Sequence, residues 1–161
     1  MKTKYTVITG ASSGIGRAVD LKFAERNKNL ILIARRKNLL EDLKSEILEK
    51  NPDLDIIVID FDLTDVGKIP KLYSKLNNYH IETLINNAGF GVYSDVKDES
   101  LDKITDMIRL NVEALTLLSS MYIQDYYNEK GSQLINVSSA GGYTIVPKGI
   151  IYCATKFYVN A

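Results

Sequence analysis

A tyrosine and a lysine near the end of the chain, Tyr152 and Lys156, are the residues best suited to acid–base chemistry. They stand four positions apart, so on a helix they share one face. A neighbouring ammonium favours the phenolate and lowers the pKa of a tyrosine below its usual value near 10, which allows proton exchange close to neutral pH. Ser139 comes thirteen residues before Tyr152. Alone, Tyr-x3-Lys is a weak signal, but the nearby serine gives it more weight. We predict that the serine hydroxyl meets the tyrosine across a bound carbonyl.

A glycine-rich turn, TGASSGIG, lies between the first predicted strand and the first predicted helix. Gly10 suits a tight turn, Gly14 lets a phosphate approach without a Cβ in the way, and Gly16 permits close helix packing. The N–H groups and the positive dipole end at the start of the helix favour an anion at the same place. We therefore predict a dinucleotide-binding turn rather than a purely structural one.

Two arginines, Arg35 and Arg36, directly follow the second predicted strand. An acidic residue about 20 positions after the glycines would hold the ribose 2′-hydroxyl of NAD. Arg35 stands 19 positions after Gly16 instead, and two guanidinium groups favour a 2′-phosphate through forked hydrogen bonds. The alternative is a solvated basic pair at the start of a helix. We predict that the protein prefers NADP(H) to NAD(H).

The elements that must position these residues alternate between strands and helices. Short apolar runs predict five strands, at 5–9, 30–34, 55–60, 81–87 and 133–139. Helical patterns lie at 15–26, 39–50, 66–76 and 101–127, and a further helix carries Tyr152 and Lys156. Such alternation predicts a doubly wound α/β fold, with a parallel sheet in a three-layer α/β/α arrangement. No linker or repeat is visible, so residues 1–161 are predicted to form a single domain.

The composition is that of an ordinary globular protein. Twenty basic residues balance twenty acidic ones, which argues against a general affinity for nucleic acid or membrane surfaces. The N-terminal apolar run is too short for a signal peptide, and no stretch is long enough to span a membrane. The one cysteine, Cys153, excludes an internal disulfide and fits a reducing compartment. We expect a cytoplasmic protein with no nucleic-acid or membrane partner.

Several other polar or aromatic side chains have structural rather than chemical interpretations. Cys153 is expected to be a small packing residue. His80 has no partner at metal-ligand spacing, so we expect a histidine in a surface loop and no metal site. Three tyrosines near the end of the long helix are expected to pack or to face a partner subunit, namely Tyr122, Tyr126 and Tyr127.

Five short motifs together resemble the short-chain dehydrogenase/reductase family of NAD(P)-dependent oxidoreductases. The motifs are TGASSGIG, NNAG at 86–89, LNV around Asn111, NVSS and YCATK, all in the order and spacing of the family. The resemblance covers the whole chain. It implies a Rossmann-type fold, the interconversion of a small-molecule carbonyl and an alcohol by hydride transfer, and a homodimer or homotetramer.

The resemblance also implies a role for each matched residue. Tyr152 would be the general acid/base, Lys156 would lower its pKa and hold the nicotinamide ribose, and Ser139 would orient the carbonyl. Asn111 would support a proton relay through water near Lys156. Besides Tyr152 and Lys156, the residues expected to bind the cofactor are Gly10, Ser12, Ser13, Gly14, Ile15, Gly16, Arg35, Arg36, Asp62, Leu63, Asn87, Ala88 and Gly89.

The family pattern continues beyond the tyrosine helix with two more strands, their helices and a substrate-covering loop, whereas the sequence ends at Ala161. We therefore expect a sheet that lacks its last strands and helices, an unpaired edge on the fifth strand, and a tyrosine helix of about three turns. One alternative to a carbonyl reductase is a truncated dinucleotide-binding module with little or no activity. Another is a methyltransferase that uses S-adenosylmethionine, although it would place an acidic residue at Arg35 and leave Tyr152 and Lys156 unexplained.

Overall fold

Five strands form one parallel sheet in the structure, a computed structural model that describes residues 3–161. In chain order they are β1 (Lys4–Thr9), β2 (Asn29–Ala34), β3 (Ile56–Asp60), β4 (His80–Asn86) and β5 (Gln133–Asn136). Their order across the sheet is β3-β2-β1-β4-β5. β2 and β3 therefore lie on one side of β1, and β4 and β5 lie on the other. The predicted doubly wound α/β fold is confirmed.

Residues 3–161 also form six α-helices, of which the first five lie between strands and the sixth follows β5. They are α1 (Gly14–Glu25), α2 (Lys37–Lys50), α3 (Ile69–Leu76), α4 (Leu101–Ile108), α5 (Leu115–Tyr126) and α6 (Ile150–Asn160). A π-helical segment, Arg109–Ala114, joins α4 to α5, and 3-10 turns lie at Val66–Lys68, Val96–Asp98 and Ala140–Gly142. The predicted helix at 66–76 therefore begins as a 3-10 turn, and the one at 101–127 contains a π-helical turn. None of the helices in this part of the chain has both the length and the apolar character to cross a membrane.

Alternate residues of each strand face two separate cores, because successive side chains of a strand point to opposite faces of the sheet. On one face, Val7 shares a core with Leu72 of α3 and Leu118 of α5. On the other face, Ile8 shares a core with Leu43 of α2. Both faces of the central strands are thus covered, which explains why β1 and β2 are nearly continuous apolar runs.

The fifth strand is shorter than predicted. It ends at Asn136 rather than at Ser139, because the backbone turns away from the sheet after Val137, whose N–H still donates to the Asn86 carbonyl. Ser139 instead precedes the Ala140–Gly142 turn, and its hydroxyl accepts a hydrogen bond from the Gly141 N–H. β5 and β3 form the two edges of the sheet, as expected for β5.

His80 is the first residue of β4 and does not lie in a surface loop, so that expectation was wrong. Its backbone pairs with Lys4 of β1, which extends the strand by one residue, and its ring contacts Tyr126 edge-on at a centroid distance of 5.8 Å. The rings of Tyr122 and Tyr126 stack at 4.7 Å, in agreement with a packing role. Tyr127 is 81% exposed, and its contact with a partner subunit stays a prediction.

Candidate active site

A cleft of about 360 Å³ opens at the carboxyl ends of the strands, beside β1 and β4. The strand order reverses at this point, which is where open α/β sheets bind their ligands. Most of the residues predicted for the site line the cleft: Gly10, Ser12, Ser13, Gly14, Ile15, Arg35, Arg36, Asp62, Leu63, Asn87, Ala88, Gly89, Tyr152 and Lys156. The other three, Gly16, Asn111 and Ser139, lie next to the lining residues rather than among them.

Some lining residues were missed by the sequence analysis, namely Ala34, Phe61, Leu110, Val137 and Ser138. Ala34, Phe61 and Val137 end or directly follow β2, β3 and β5. Their position at the carboxyl end of a parallel strand was the signal that could have identified them. Leu110 lies in the π-helical segment and directly precedes Asn111 in the LNV motif, which was the signal that could have identified it.

The turn between β1 and α1 forms one end of the cleft. Gly10 has a φ of +69°, a conformation that costs a residue with a Cβ but not glycine. A Cβ on Gly16 would collide with the Gly10 carbonyl oxygen and would lie 2.6 Å from the amide nitrogen of Asn87. The side chain of Ser13 does not cap α1, so no N-cap side chain competes for the first N–H groups of this helix. This end of the cleft fits a dinucleotide phosphate.

Hydrogen bonds between β1 and β4 fix the side of the cleft. The Thr9 hydroxyl accepts from the N–H groups of Asn87 and Ala88, each at 3.0 Å. The Asn87 side-chain amide donates back to the Thr9 carbonyl, also at 3.0 Å. The segment from Asn87 to Gly89 is therefore held as a rigid wall between the glycine-rich turn and α6.

Arg35 and Arg36 lie at the rim of the cleft, next to the glycine-rich turn. The Arg36 guanidinium donates to the hydroxyls of Ser12 and Ser13 at 3.1 and 2.9 Å. Arg35 lies 4.0 Å from the carboxylate of Asp62. Both cations stand at the start of α2, where the helix dipole disfavours positive charge. Their position at this end of the helix therefore does not stabilise α2.

Tyr152 and Lys156 of α6 line the cleft together with Val137 and Ser138, which follow β5. The Lys156 side chain is almost fully buried, and its ammonium donates to the Val137 carbonyl at 2.9 Å. This ammonium lies 5.9 Å from the centroid of the Tyr152 ring. Burial lowers the pKa of Lys156. The pair predicted from its spacing is therefore present, and the lysine is held in place by the backbone that follows β5.

Ser139 lies close to the Tyr152 ring. Gly141 stands between the two side chains, since a Cβ there would be 3.4 Å from Cε1 of Tyr152 and 3.6 Å from Oγ of Ser139. The Ser139 hydroxyl accepts from the Gly141 N–H, which leaves its own proton free to be donated. The serine and the tyrosine thus reach one small region beside the cleft.

Asn111 lies in the π-helical segment and is buried against α6. Its side-chain amide donates to the Phe90 carbonyl at 2.8 Å and to the Thr155 hydroxyl at 3.0 Å, and its oxygen accepts from the Phe90 N–H at 3.1 Å. Gly89 separates this oxygen from Lys156, because a Cβ on Gly89 would be 3.0 Å from the one and 3.6 Å from the Lys156 ammonium. A π-helical turn often marks a functional position. Here it places Asn111 near Lys156, with the Gly89 backbone between the two side chains.

The chain is similar to dehydrogenases over nearly its whole length. The family model described as short chain dehydrogenase matches residues 4–161. Putative steroid dehydrogenase 2 of Caenorhabditis elegans is 34% identical over an alignment of 162 positions, which covers 97% of this chain and 51% of that protein. The chain spans about half the length of the first curated relatives that it matches.

Two solved structures share the fold closely. One is a short-chain dehydrogenase from Sphingobium yanoikuyae in complex with NADPH, with a TM-score of 0.91 and 30% identity over 97% of this chain and 61% of that one. The other is the bulky-bulky ketone specific alcohol dehydrogenase from Comamonas testosteroni, with a TM-score of 0.91 and 32% identity over 99% of this chain and 64% of that one. The likeness therefore extends over all five strands and α6.

A methyltransferase would share the first strand, the glycine-rich turn and the first helix. It would not explain a family match that includes the Arg35–Arg36 pair and continues through the Tyr152–Lys156 helix. The chain belongs to the short-chain dehydrogenase family.

Proposed function

We propose that the protein is an NADP(H)-dependent oxidoreductase that interconverts a carbonyl compound and its alcohol, with Tyr152 as the general acid/base. The observation that carries the proposal is a single cleft with an anion-binding turn at one end and the Tyr152–Lys156 pair at the other. The Sphingobium neighbour is in complex with NADPH, and the Comamonas neighbour acts on ketones. Both support this assignment.

The residues of the cleft fit NADPH. The glycine-rich turn and the start of α1 would hold the pyrophosphate, and Arg35 and Arg36 would hold the 2′-phosphate. Asp62 and Leu63 would contact the adenine, while Lys156 would contact the nicotinamide ribose. The wall from Asn87 to Gly89 would line the rest of the cofactor. When it is bound, NADPH supplies the hydride.

The residues of the chain supply position and a proton. Ser139 would donate a hydrogen bond to the carbonyl oxygen and orient it beside the Tyr152 hydroxyl. Tyr152 would give its proton to that oxygen during reduction and take it back during oxidation. The Lys156 ammonium, 5.9 Å from the centroid of the Tyr152 ring, would hold the nicotinamide ribose beside the tyrosine. Asn111 donates hydrogen bonds to the Phe90 carbonyl and the Thr155 hydroxyl. We also propose that Asn111 supports a proton relay through water near Lys156.

The direct test is the loss of NADPH absorbance when the protein is mixed with a panel of ketones and aldehydes. We expect turnover of at least one carbonyl compound and the reverse reaction with the matching alcohol and NADP⁺. A protein that binds NADPH but consumes it with no member of the panel would instead be a silent nucleotide-binding module. That result would overturn the proposal.

Replacing Gly16 with Ala is expected to weaken NADPH binding by about tenfold or more, because the new Cβ forces α1 away from the Gly10 carbonyl. The measurement is a fluorescence titration with NADPH. Gly67→Ala is the matched control, since a Cβ there meets only the Asp65 carboxylate at 4.0 Å. Unchanged affinity in the Gly16→Ala variant would show that the turn does not hold the cofactor.

Replacing Arg36 with Ala is expected to raise the Kd for NADPH by about tenfold to a hundredfold and to leave the Kd for NADH within about twofold. The reason is the loss of charge-assisted hydrogen bonds, which are worth about 1.5–3 kcal/mol, to a phosphate that NADH lacks. Calorimetric titrations with both cofactors measure the two constants. Arg26→Ala, at the exposed end of α1, is the control. Equal affinity of the unaltered protein for NADH and NADPH would contradict the preference.

A homodimer or homotetramer is also proposed. Large apolar side chains are exposed on α5 and α6, among them Ile123, Phe157 and Tyr158. Exposed apolar patches of this kind are typical of contact surfaces between subunits. The oligomeric state and the cytoplasmic location stay predictions.

A further inference from the structure

Tyr93 lies in the loop that follows β4, directly beside the proposed acid/base. Its ring centroid is 5.8 Å from that of Tyr152, and the two ring planes are inclined by 58°. Tyr93 is 59% exposed, and it does not line the cofactor cleft. A large aromatic surface next to the Tyr152 ring is therefore open to a ligand other than the cofactor.

The loop around Tyr93 fixes the direction of this side chain. Val92 and Ser94 line a small cavity together with Ile150 and Ile151 of α6. These two loop residues are half-buried, whereas Tyr93 between them is exposed. The inward packing of Val92 and Ser94 leaves Tyr93, which lies between them, on the solvent side.

Two glycines make room for the tyrosine rings. A Cβ on Gly149 would lie 2.9 Å from Cε1 and 3.0 Å from Cδ1 of Tyr93. A Cβ on Gly91 would lie 2.8 Å from Cδ2 and Cγ of Tyr152. Each ring therefore rests on bare backbone, and any larger residue at either glycine would displace it.

Apolar side chains continue the surface of Tyr93 along the segment that leads into α6. Tyr143, Ile145, Val146 and Ile150 all expose apolar surface there. Val146 is tied to α6, since its N–H donates to the Cys153 sulfur at 3.4 Å, which also agrees with the packing role expected for this cysteine. Exposed apolar surface beside a catalytic group favours an apolar ligand over a charged one.

We propose that Tyr93 is a specificity-determining residue that packs against a flat ring attached to the substrate carbonyl. The proposal rests on the reductase function proposed above. A carbonyl oxygen at the Tyr152 hydroxyl brings a ring bonded to the carbonyl carbon within reach of Tyr93, because the two tyrosine rings are neighbours. Aromatic faces gain stabilisation from offset or edge contacts with other rings. The favoured substrate class is therefore the aryl or fused-ring ketone, and a small aliphatic ketone cannot use this surface.

The test compares acetophenone with acetone as substrates of the unaltered protein and of Tyr93→Ala. We expect the variant to lower kcat/KM for acetophenone by about tenfold, and to change kcat/KM for acetone and the Kd for NADPH by less than about twofold. Tyr93→Phe keeps the ring and should retain the preference. Leu101→Ala, which removes another exposed apolar side chain at the start of α4, is the control and should change nothing.

Binding of acetophenone to the protein loaded with NADP⁺, followed by ligand-observed NMR, separates this inference from the proposed function. Weaker binding in Tyr93→Ala supports the aromatic contact even if no ketone is reduced, in which case only the reductase function fails. Binding that Tyr93→Ala does not weaken overturns the inference. Equal losses of kcat/KM for acetophenone and acetone overturn it as well, and they leave the reductase function standing.

Discussion

Tyr152→Phe is expected to lower kcat for NADPH-dependent ketone reduction by about a hundredfold or more, with little change in the Kd for NADPH. Proton transfer by a positioned side chain contributes about 10²–10⁴ in rate, and phenylalanine lacks the hydroxyl that carries the proton. The ring itself stays, so its contacts with the Gly91 backbone and the Tyr93 ring are kept. Steady-state kinetics together with an NADPH titration separate the loss of chemistry from a loss of binding.

The matched control for this variant is Tyr158→Phe. Tyr158 lies on the same helix, and its hydroxyl is hydrogen-bonded to Thr116 at 2.8 Å on the outer side of α6. Its loss should leave kcat within about twofold, because the hydroxyl does not reach the cleft. Turnover that persists at the original rate in Tyr152→Phe would refute the assigned role of Tyr152.

Asp20→Asn is expected to stabilise the folded protein at neutral and alkaline pH by an amount on the order of a few kcal/mol. Asp20 lies on the face of α1 that also contains Gly16 and Ala24, and it is fully buried. Within residues 3–161, neither oxygen of its carboxyl group has a hydrogen-bond partner. Burial raises the pKa of Asp20 from 3.8 to about 9, so the side chain is protonated in the folded state at neutral pH.

The raised pKa of Asp20 determines the sign of its effect on stability. Between about pH 4 and about pH 9 the folded state keeps a proton that the unfolded state releases. The free energy of unfolding therefore falls as the pH rises through this window, by about 1.4 kcal/mol per pH unit for one such group. Asparagine has almost the same shape and no charge, so it removes this dependence and leaves the packing of α1 unchanged.

Urea unfolding of both proteins at a series of pH values measures the difference. The two stabilities should nearly coincide at about pH 4 and diverge steadily toward about pH 9. Asp42→Asn is the control, because Asp42 is exposed on α2 and its variant should follow the unaltered protein at every pH. Parallel curves for Asp20→Asn and the unaltered protein would show that Asp20 ionises normally. Because α1 begins at the glycine-rich turn, a change in the stability of α1 is also expected to affect the proposed cofactor site.

Prediction from the sequence placed the strands and helices in the right order, and most of the residues predicted for the site line the cleft. It succeeded because apolar periodicity and glycine spacing are local properties, and because parallel strands bring their carboxyl ends to one edge of the sheet. It was wrong where contacts distant in sequence decide the local structure. Pairing with Lys4 places His80 in β4, and the turn toward α6 ends β5 before Ser139.

The sequence by itself determined the family, the α/β fold and the candidate residues of the site, because short motifs at set distances specify a turn, a strand end or a helix face. Only the tertiary structure decided what those residues contact. It placed the Lys156 ammonium on the Val137 carbonyl, buried Asp20 in a helix where a charge would be expected on the solvent face, and put Tyr93 beside Tyr152. The burial and the contacts of these three side chains depend on how α1 and α6 pack against the sheet and the loops beside it. The periodicity of a single segment carries no information about that packing.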